Sequence, residues 1–323
     1  MSVSRRRFLE SAALAGAASS LLNANTDPKT GMPKRVLGRT GAQVSILAFG
    51  CGSRFLAYGD EEKAQAALNK ALDLGITYVD TAFGYGDGKS ETWVGGVMKT
   101  RRKEVWLATK CIARKADDAK RMIEGSLKRL QTSKLDLVHI HSLSDDDDLA
   151  QIEAHDGVLQ VLYKMREQKV TRAIGITSHT DPAVLRKALE RHDFDCTQMA
   201  LNAARAGMAN TNSGFDMNPM QNSFEALALP VANKKNMGVI AMKVFAQEHL
   251  SGKAPVEKLI SYSLSLPVSA AVVGMPKPEY IEENIAIAKR FSPLPKDEMY
   301  QLNGELASQK ASIDRFFCNH IDC

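Results

Sequence analysis

Short apolar runs of strand length recur along this chain, each followed by a stretch with helical periodicity. The runs end near Gly50, Asp80, Thr109, His141, Thr177, Asn202, Met242 and Val273, at intervals of 30, 29, 32, 36, 25, 40 and 31 residues. A spacing near 30 is that of a strand–helix unit. Eight such units with no break in composition predict an α/β fold, a closed parallel (β/α)8 barrel. Across 61–74, Ala64, Ala67, Leu68, Ala71 and Leu72 share one helical face and Gly75 stops the run. Across 116–130, Ile123, Leu127 and Leu130 align, with Lys128 and Arg129 near the C-terminus, where the helix dipole favours cations. Asp181-Pro182 reads as an N-cap followed by proline at the first helical position. Residues 32–45 read as a hairpin, turning through 38–41, placed to plug the barrel floor. A doubly wound sheet would want G-x-G-x-x-G directly after the first strand; the chain has FGCGSRF there.

Composition narrows the class without naming a chemistry. The 323 residues, 44% apolar and 24% charged, suit one large globular barrel or two ordinary domains. The net charge of +5 falls to +3 once Arg5, Arg6, Arg7 and Glu10 are set aside. With no basic patch interleaved with aromatics, nucleic acid is not an expected partner. Ser4-Arg5-Arg6-Arg7-Phe8-Leu9 matches the twin-arginine export pattern, and a small-residue, mildly apolar stretch over 11–22 follows it. That stretch is too short and too rich in Ala, Gly and Ser to anchor stably in a bilayer. The expectation is a periplasmic protein carried out folded by the twin-arginine translocase, with cleavage within 15–25. Signal and linker then occupy 1–30, the barrel 31–292 and a C-terminal tail 293–323. Five cysteines make neither a dense disulfide framework nor a zinc module. Cys51 and Cys111 read as buried, whereas Cys318 and Cys323 could close a local disulfide or, with His320 and Asp322, ligate a metal.

Chemistry in such barrels sits at the C-terminal strand ends. That rule selects Asp80, Tyr85, Lys110, His141, Thr177, Ser178, Gln198 and Asn202. The stretch YVDTAFGYGDGKSE is the richest. Its Gly88-Lys89-Ser90 mimics the end of a phosphate loop, but Phe83 stands where that motif needs glycine. Asp80 and Tyr85 suggest a buried acid–base site instead. Lys110 closes the run VWLATK, and a buried ammonium needs the partner Asp80 provides. An ordinary tyrosine, with a pKa of about 10, gives up its proton reluctantly. A cation beside it is expected to lower that value and make Tyr85 a usable general acid. In LDLVHIH, His139 and His141 point to the same side of a strand. His139 is expected to be a satisfied core histidine, and His141, at the rim, can donate to a substrate carbonyl.

Over nearly all of 32–292 the chain resembles the aldo–keto reductases. The matching stretches are MPKRVLGRTGAQVS, YVDTAFGYGDGKSE, VWLATK, LDLVHIH, RAIGITS, TQMALN and GMPKPEYIEEN. The resemblance implies hydride transfer between a nicotinamide cofactor and an aldehyde or ketone, with Tyr85 protonating the oxygen, Asp80 and Lys110 tuning the phenol, and His141 orienting the carbonyl. It also implies that Thr177, Ser178 and Gln198 grip the carboxamide. By the same resemblance Gly50 and Cys51 are expected near the nicotinamide, and Glu283 and Asn284 against the adenine. Met242 replaces the family's common stacking aromatic, and Lys243 follows where many relatives carry Ser. Methionine can still cover a flat ring through its polarizable sulfur. Gly274, Pro276 and Tyr280 occupy slots where basic residues usually meet the 2′-phosphate, and Lys277 or Lys243 is left to compensate. NADP(H) is the implied cofactor, with NAD(H) open. Metal is not expected at this site.

Two rim loops bear on substrate choice. The four carboxylates at 145–148 read as solvated decoration, or else disfavour anionic substrates or bind a cation. Residues 203–222 are long for a barrel connection and suit a lid, with Met208, Met217 and Met220 as candidate pocket residues. The competing function is a redox-sensing or partner-binding barrel that keeps the cofactor but turns over little.

Overall fold

The computed structural model describes residues 25–208, 215–217 and 222–309. Eight parallel strands close the expected barrel: β1 Leu47–Gly50, β2 Tyr78–Asp80, β3 Trp106–Cys111, β4 Leu135–Ile140, β5 Thr171–Ser178, β6 Cys196–Ala200, β7 Gly238–Met242 and β8 Ala270–Gly274. Each pairs with the next in sequence, and β8 returns to β1, with Val273 opposite Phe49 and Gly274 opposite Gly50. The strands are buried on both faces, which is why they read as apolar runs rather than as alternation.

A helix follows each strand: α1 Glu61–Asp73, α2 Lys89–Arg101, α3 Ala116–Arg129, α4 Val158–Glu167, α5 Pro182–Arg191, α6 Phe224–Lys234, α7 Val256–Ser265 and α8 Pro278–Lys289. The start and stop signals act as expected. Asp60 caps α1 by accepting from Lys63 N at 3.0 Å. Gly75 ends the turn at φ +109, where a Cβ would lie 2.4 Å from Thr30 Oγ1. The Asp181 carboxylate accepts from Ala183 and Val184 at the start of α5.

The floor is plugged by the hairpin Pro33–Val36 with Gln43–Ser45, antiparallel and in register at Lys34 and Ser45. Its Leu37 and Val44 are wholly buried among Tyr78, Trp106, Cys196 and Ile240, inside the barrel. Chain continues past 292, where a tail was expected. Helix Lys296–Ser308 buries Leu302 and Leu306, and Asn303 Nδ2 donates to Ala203 O at 2.6 Å. Within 203–222, Ala206–Met208 pairs with Phe215–Met217. Met220, the twin-arginine segment and Cys318, His320, Asp322 and Cys323 lie outside the described residues. Cys51, Cys111 and Cys196 are buried free thiols.

Candidate active site

The closure of the barrel brings four of the predicted side chains together at its C-terminal mouth. Asp80 ends β2, and Tyr85 hangs from the following turn, where Gly86, Asp87 and Gly88 all take left-handed backbone. Lys110 lies on β3, and His141 is the first residue beyond β4. Lys110 Nζ donates to Asp80 Oδ2 at 2.5 Å, Thr81 O at 3.0 Å and Tyr85 Oη at 3.0 Å. An ammonium has three protons, so all are used. The His141 ring stands edge-on to Tyr85, centroids 5.7 Å apart at 87°. Its Nδ1 is buried, with no protein partner among the described residues.

Electrostatics follow from that geometry. Burial works against the charge on Lys110, but Asp80 and Tyr85 outweigh it and hold the amine above its ordinary range. Tyr85 departs from expectation. Its ring is partly exposed, yet loss of water around the phenol pushes its pKa up, and the opposing pull of Lys110 does not reverse this. The cation moderates the phenol without making it acidic. Burial, aided by Lys110, pushes His139 and His141 well below the usual histidine range, so both rings are neutral. His139 is buried as expected but not satisfied: among the described residues neither ring nitrogen meets a protein partner.

A cleft opens from this cluster between the loops that follow β1 and β7. Of the residues expected to hold a cofactor, Gly50, Gln198, Met242, Lys243 and Gly274 line it. Thr177 and Ser178 do not, because their hydroxyls are spent on the neighbouring loop: Thr177 Oγ1 accepts from Ser142 N at 2.8 Å, and Ser178 Oγ donates to Leu143 O at 2.7 Å. Cys51 is buried behind the mouth, with its N donating to Asp80 O. Glu283 is exposed and Asn284 buried on α8, away from the cleft lining. Asn202 braces its own turn through Ala206. Arg54, His179, Phe245 and Glu248 also line the cleft and had no sequence signal. Arg54 Nε meets Glu248 Oε1 at 2.9 Å, joining the two loops. Burial and the nearby Lys243 lower the His179 pKa to about 3.

These residues fit a nicotinamide dinucleotide. Among the described residues, Gln198 Oε1 is a buried acceptor without a protein donor, suited to a carboxamide N–H. Gly274 leaves backbone room, since a Cβ there would lie 2.8 Å from the Arg54 side chain. Lys243 brings positive charge to a cleft that would take phosphates, while the charge of Arg54 is met by Glu248. Among the described residues, no group of His, Cys, Asp or Glu could hold a metal ion.

A plugged (β/α)8 barrel with a buried Asp–Lys–Tyr cluster and a histidine at its mouth defines a class of oxidoreductase. The chain belongs to the aldo/keto reductase family, whose model matches residues 47–258. L-galactose dehydrogenase from Arabidopsis thaliana is 27% identical over 304 residues, covering 82% of this chain and 90% of that protein. The holo form of an aldo-keto reductase from Bacillus halodurans has a TM-score of 0.69 at 24% identity, covering 85% of this chain and 96% of that one. An aldo-keto reductase from Klebsiella pneumoniae in complex with NADPH has a TM-score of 0.66 at 22% identity, with coverages of 83% and 93%. At these identities the two solved structures establish the fold.

Proposed function

We propose that the protein is an NADP(H)-dependent aldo–keto reductase that reduces aldehydes or ketones, or oxidises the corresponding alcohols, with Tyr85 as general acid. The observation that carries this reading is Lys110 Nζ held between Asp80 Oδ2 and Tyr85 Oη, at 2.5 and 3.0 Å. When bound, the nicotinamide supplies the hydride to the carbonyl carbon or takes it from the alcohol. Tyr85 gives its proton to the carbonyl oxygen, and Lys110 stabilises the phenolate left behind. Asp80 keeps Lys110 charged in a desolvated site. Neutral His141 offers a ring N–H to the same oxygen, fixing the carbonyl's direction. With the dinucleotide bound, Gln198 would hold the carboxamide, Met242 would cover the ring, and Lys243 would meet a phosphate. Glu283 and Asn284 retain the adenine role that the resemblance assigns to them. Thr177 and Ser178 brace the mouth.

NADP(H) is preferred to NAD(H) because the Klebsiella pneumoniae neighbour carries NADPH. The Arabidopsis relative's activity adds aldoses to the candidate substrates. Arg5 and Arg6 support export, folded and cofactor-loaded, to the periplasm. The test is NADPH oxidation with 4-nitrobenzaldehyde, methylglyoxal and glyceraldehyde, and NADP reduction with L-galactose, in wild type and Tyr85→Phe. The variant should lose about 10²- to 10⁴-fold in kcat while binding dinucleotide unchanged. Turnover no faster in wild type than in the variant overturns the reading in favour of a sensing or partner-binding barrel. Native mass spectrometry of protein recovered from the periplasm reads signal removal and the bound dinucleotide together, and full-length protein confined to the cytoplasm rejects the export part.

A further inference from the structure

We propose that Arg114 is a positioning residue for His141, and that Asp148 holds the arginine to that task. The inference rests on the reading of His141 as the group that orients the carbonyl. The His141 ring stands edge-on against Tyr85, and among the described residues its Nδ1 meets no protein group. Its place is therefore set by the backbone that carries it. That backbone is unusual, because Ser142, the next residue, takes a left-handed φ of +55. A residue other than glycine persists there only where its surroundings hold it.

Two sets of contacts do so. On one side the neighbouring strands take the amides: His141 N donates to Cys111 O on β3 at 2.9 Å, and on β5 Ser142 N donates to Thr177 Oγ1 and Leu143 N to Thr177 O, each at 2.8 Å. On the other, the Arg114 guanidinium takes the carbonyls, with one terminal nitrogen donating to His141 O at 2.8 Å and Ser142 O at 3.3 Å. The opposite nitrogen reaches Ile112 O at 3.2 Å. Asp148 closes the arrangement, accepting from Arg114 Nε at 2.6 Å and from the first nitrogen at 2.9 Å. It also accepts from Ser144 N at 3.1 Å, so the carboxylate ties the same loop twice. The pair is largely covered, at 17% and 14% side-chain exposure. Only a planar fork can meet a carboxylate edge-on and two loops' carbonyls at once; a lysine offers a point charge with shorter reach. A displacement of about 1 Å at a positioning group can cost on the order of 10²-fold in rate, so this clamp belongs to the reaction as well as to the fold.

The test uses the full-length protein and five variants: Arg114→Met, Arg114→Lys, Asp148→Asn, His141→Gln and the double Arg114→Met/His141→Gln. Histidine ring resonances are read by proton–nitrogen NMR, with those of His141 assigned by their loss in His141→Gln. Arg114→Met and Arg114→Lys should shift or split the His141 resonances and leave those of His249, which lies in the loop after β7, in place. Asp148→Asn should do the same more weakly, and carries this arm if the Arg114 variants fail to fold. With 4-nitrobenzaldehyde, kcat should fall about 10- to 100-fold in both Arg114 variants, with NADPH affinity unchanged, and the double variant should be no slower than His141→Gln. Unmoved His141 resonances, or losses that add in the double variant, overturn the proposal. A wild type without turnover would reject the catalytic reading alone, since the NMR arm decides the positioning by itself.

Discussion

Lys110 is 1% exposed, and burying an ammonium costs several kcal/mol unless partners compensate. Its three acceptors do so, and that compensation links the residues of the mouth electrostatically. The histidines nearby answer the same dry, cationic surroundings by staying neutral. His139 and His141 are depressed well below the ordinary value of about 6.5, and His179 falls to about 3. Between that ordinary value and the folded values, the unfolded chain binds protons that the native protein refuses. Stability should therefore be intact above about pH 6.5 and fall as pH drops towards 3, at about 1.4 kcal/mol per pH unit for each histidine. Urea unfolding at pH 7.5, 6.5 and 5.5 reads the slope. His139→Leu should flatten it by one histidine's share, and an unchanged slope would mean that His139 titrates in the folded protein. At this scale, Asp80, Tyr85, Lys110 and His141 were legible because each lies at, or just beyond, the end of a recognisable strand. His179 and Arg114 were not, since their value lies in neighbours more than twenty residues away. The direction of the Tyr85 shift was also illegible, because it depends on how much water the surrounding loops exclude.

Strands place the core histidine as well as the site. His139 on β4 lies opposite Gly175 on β5. A Cβ at Gly175 would come within 2.4 Å of His139 Nδ1 and 2.7 Å of Cys196 O. Gly175→Ala should then destabilise the protein by about 1–3 kcal/mol through overpacking. Adding His139→Ala should recover only part of that loss, since the Cys196 carbonyl remains in the way. Additive losses in the pair, read by urea unfolding, would show that the two positions do not share this space. Loops resisted reading more than strands did. The acidic run at 145–148 looked like surface charge, yet Asp145 caps a helix, Asp146 pairs with Lys187 and Asp148 binds Arg114. The loop after β7 carries Lys243, Ala246, Gln247 and Glu248 at positive φ. None is glycine, so composition offered no turn signal there.

For the molecule as a whole, stability and chemistry occupy opposite ends. Leu37 is fully buried in the hairpin plug, and the Asp80–Lys110–Tyr85 cluster sits at the far mouth. Leu37→Ala should cost about 2–5 kcal/mol and lower the midpoint of thermal unfolding. Its kcat at 25 °C should stay close to that of wild type; a parallel loss of rate would show that the floor reaches the mouth. The barrel itself was readable from the chain because eight repeats of one period admit few closed arrangements, and caps at Asp60 and Asp181 mark their helices locally. Periodicity and capping are properties of neighbours in sequence, so the chain alone determined the architecture and the four residues at its strand ends. Which side chains face the cleft, which hydroxyls are spent on a neighbouring loop, and which arginine steadies His141 were decided only when the barrel closed. Those outcomes depend on distances between segments and on the water excluded between them, and neither is written in any single stretch of residues.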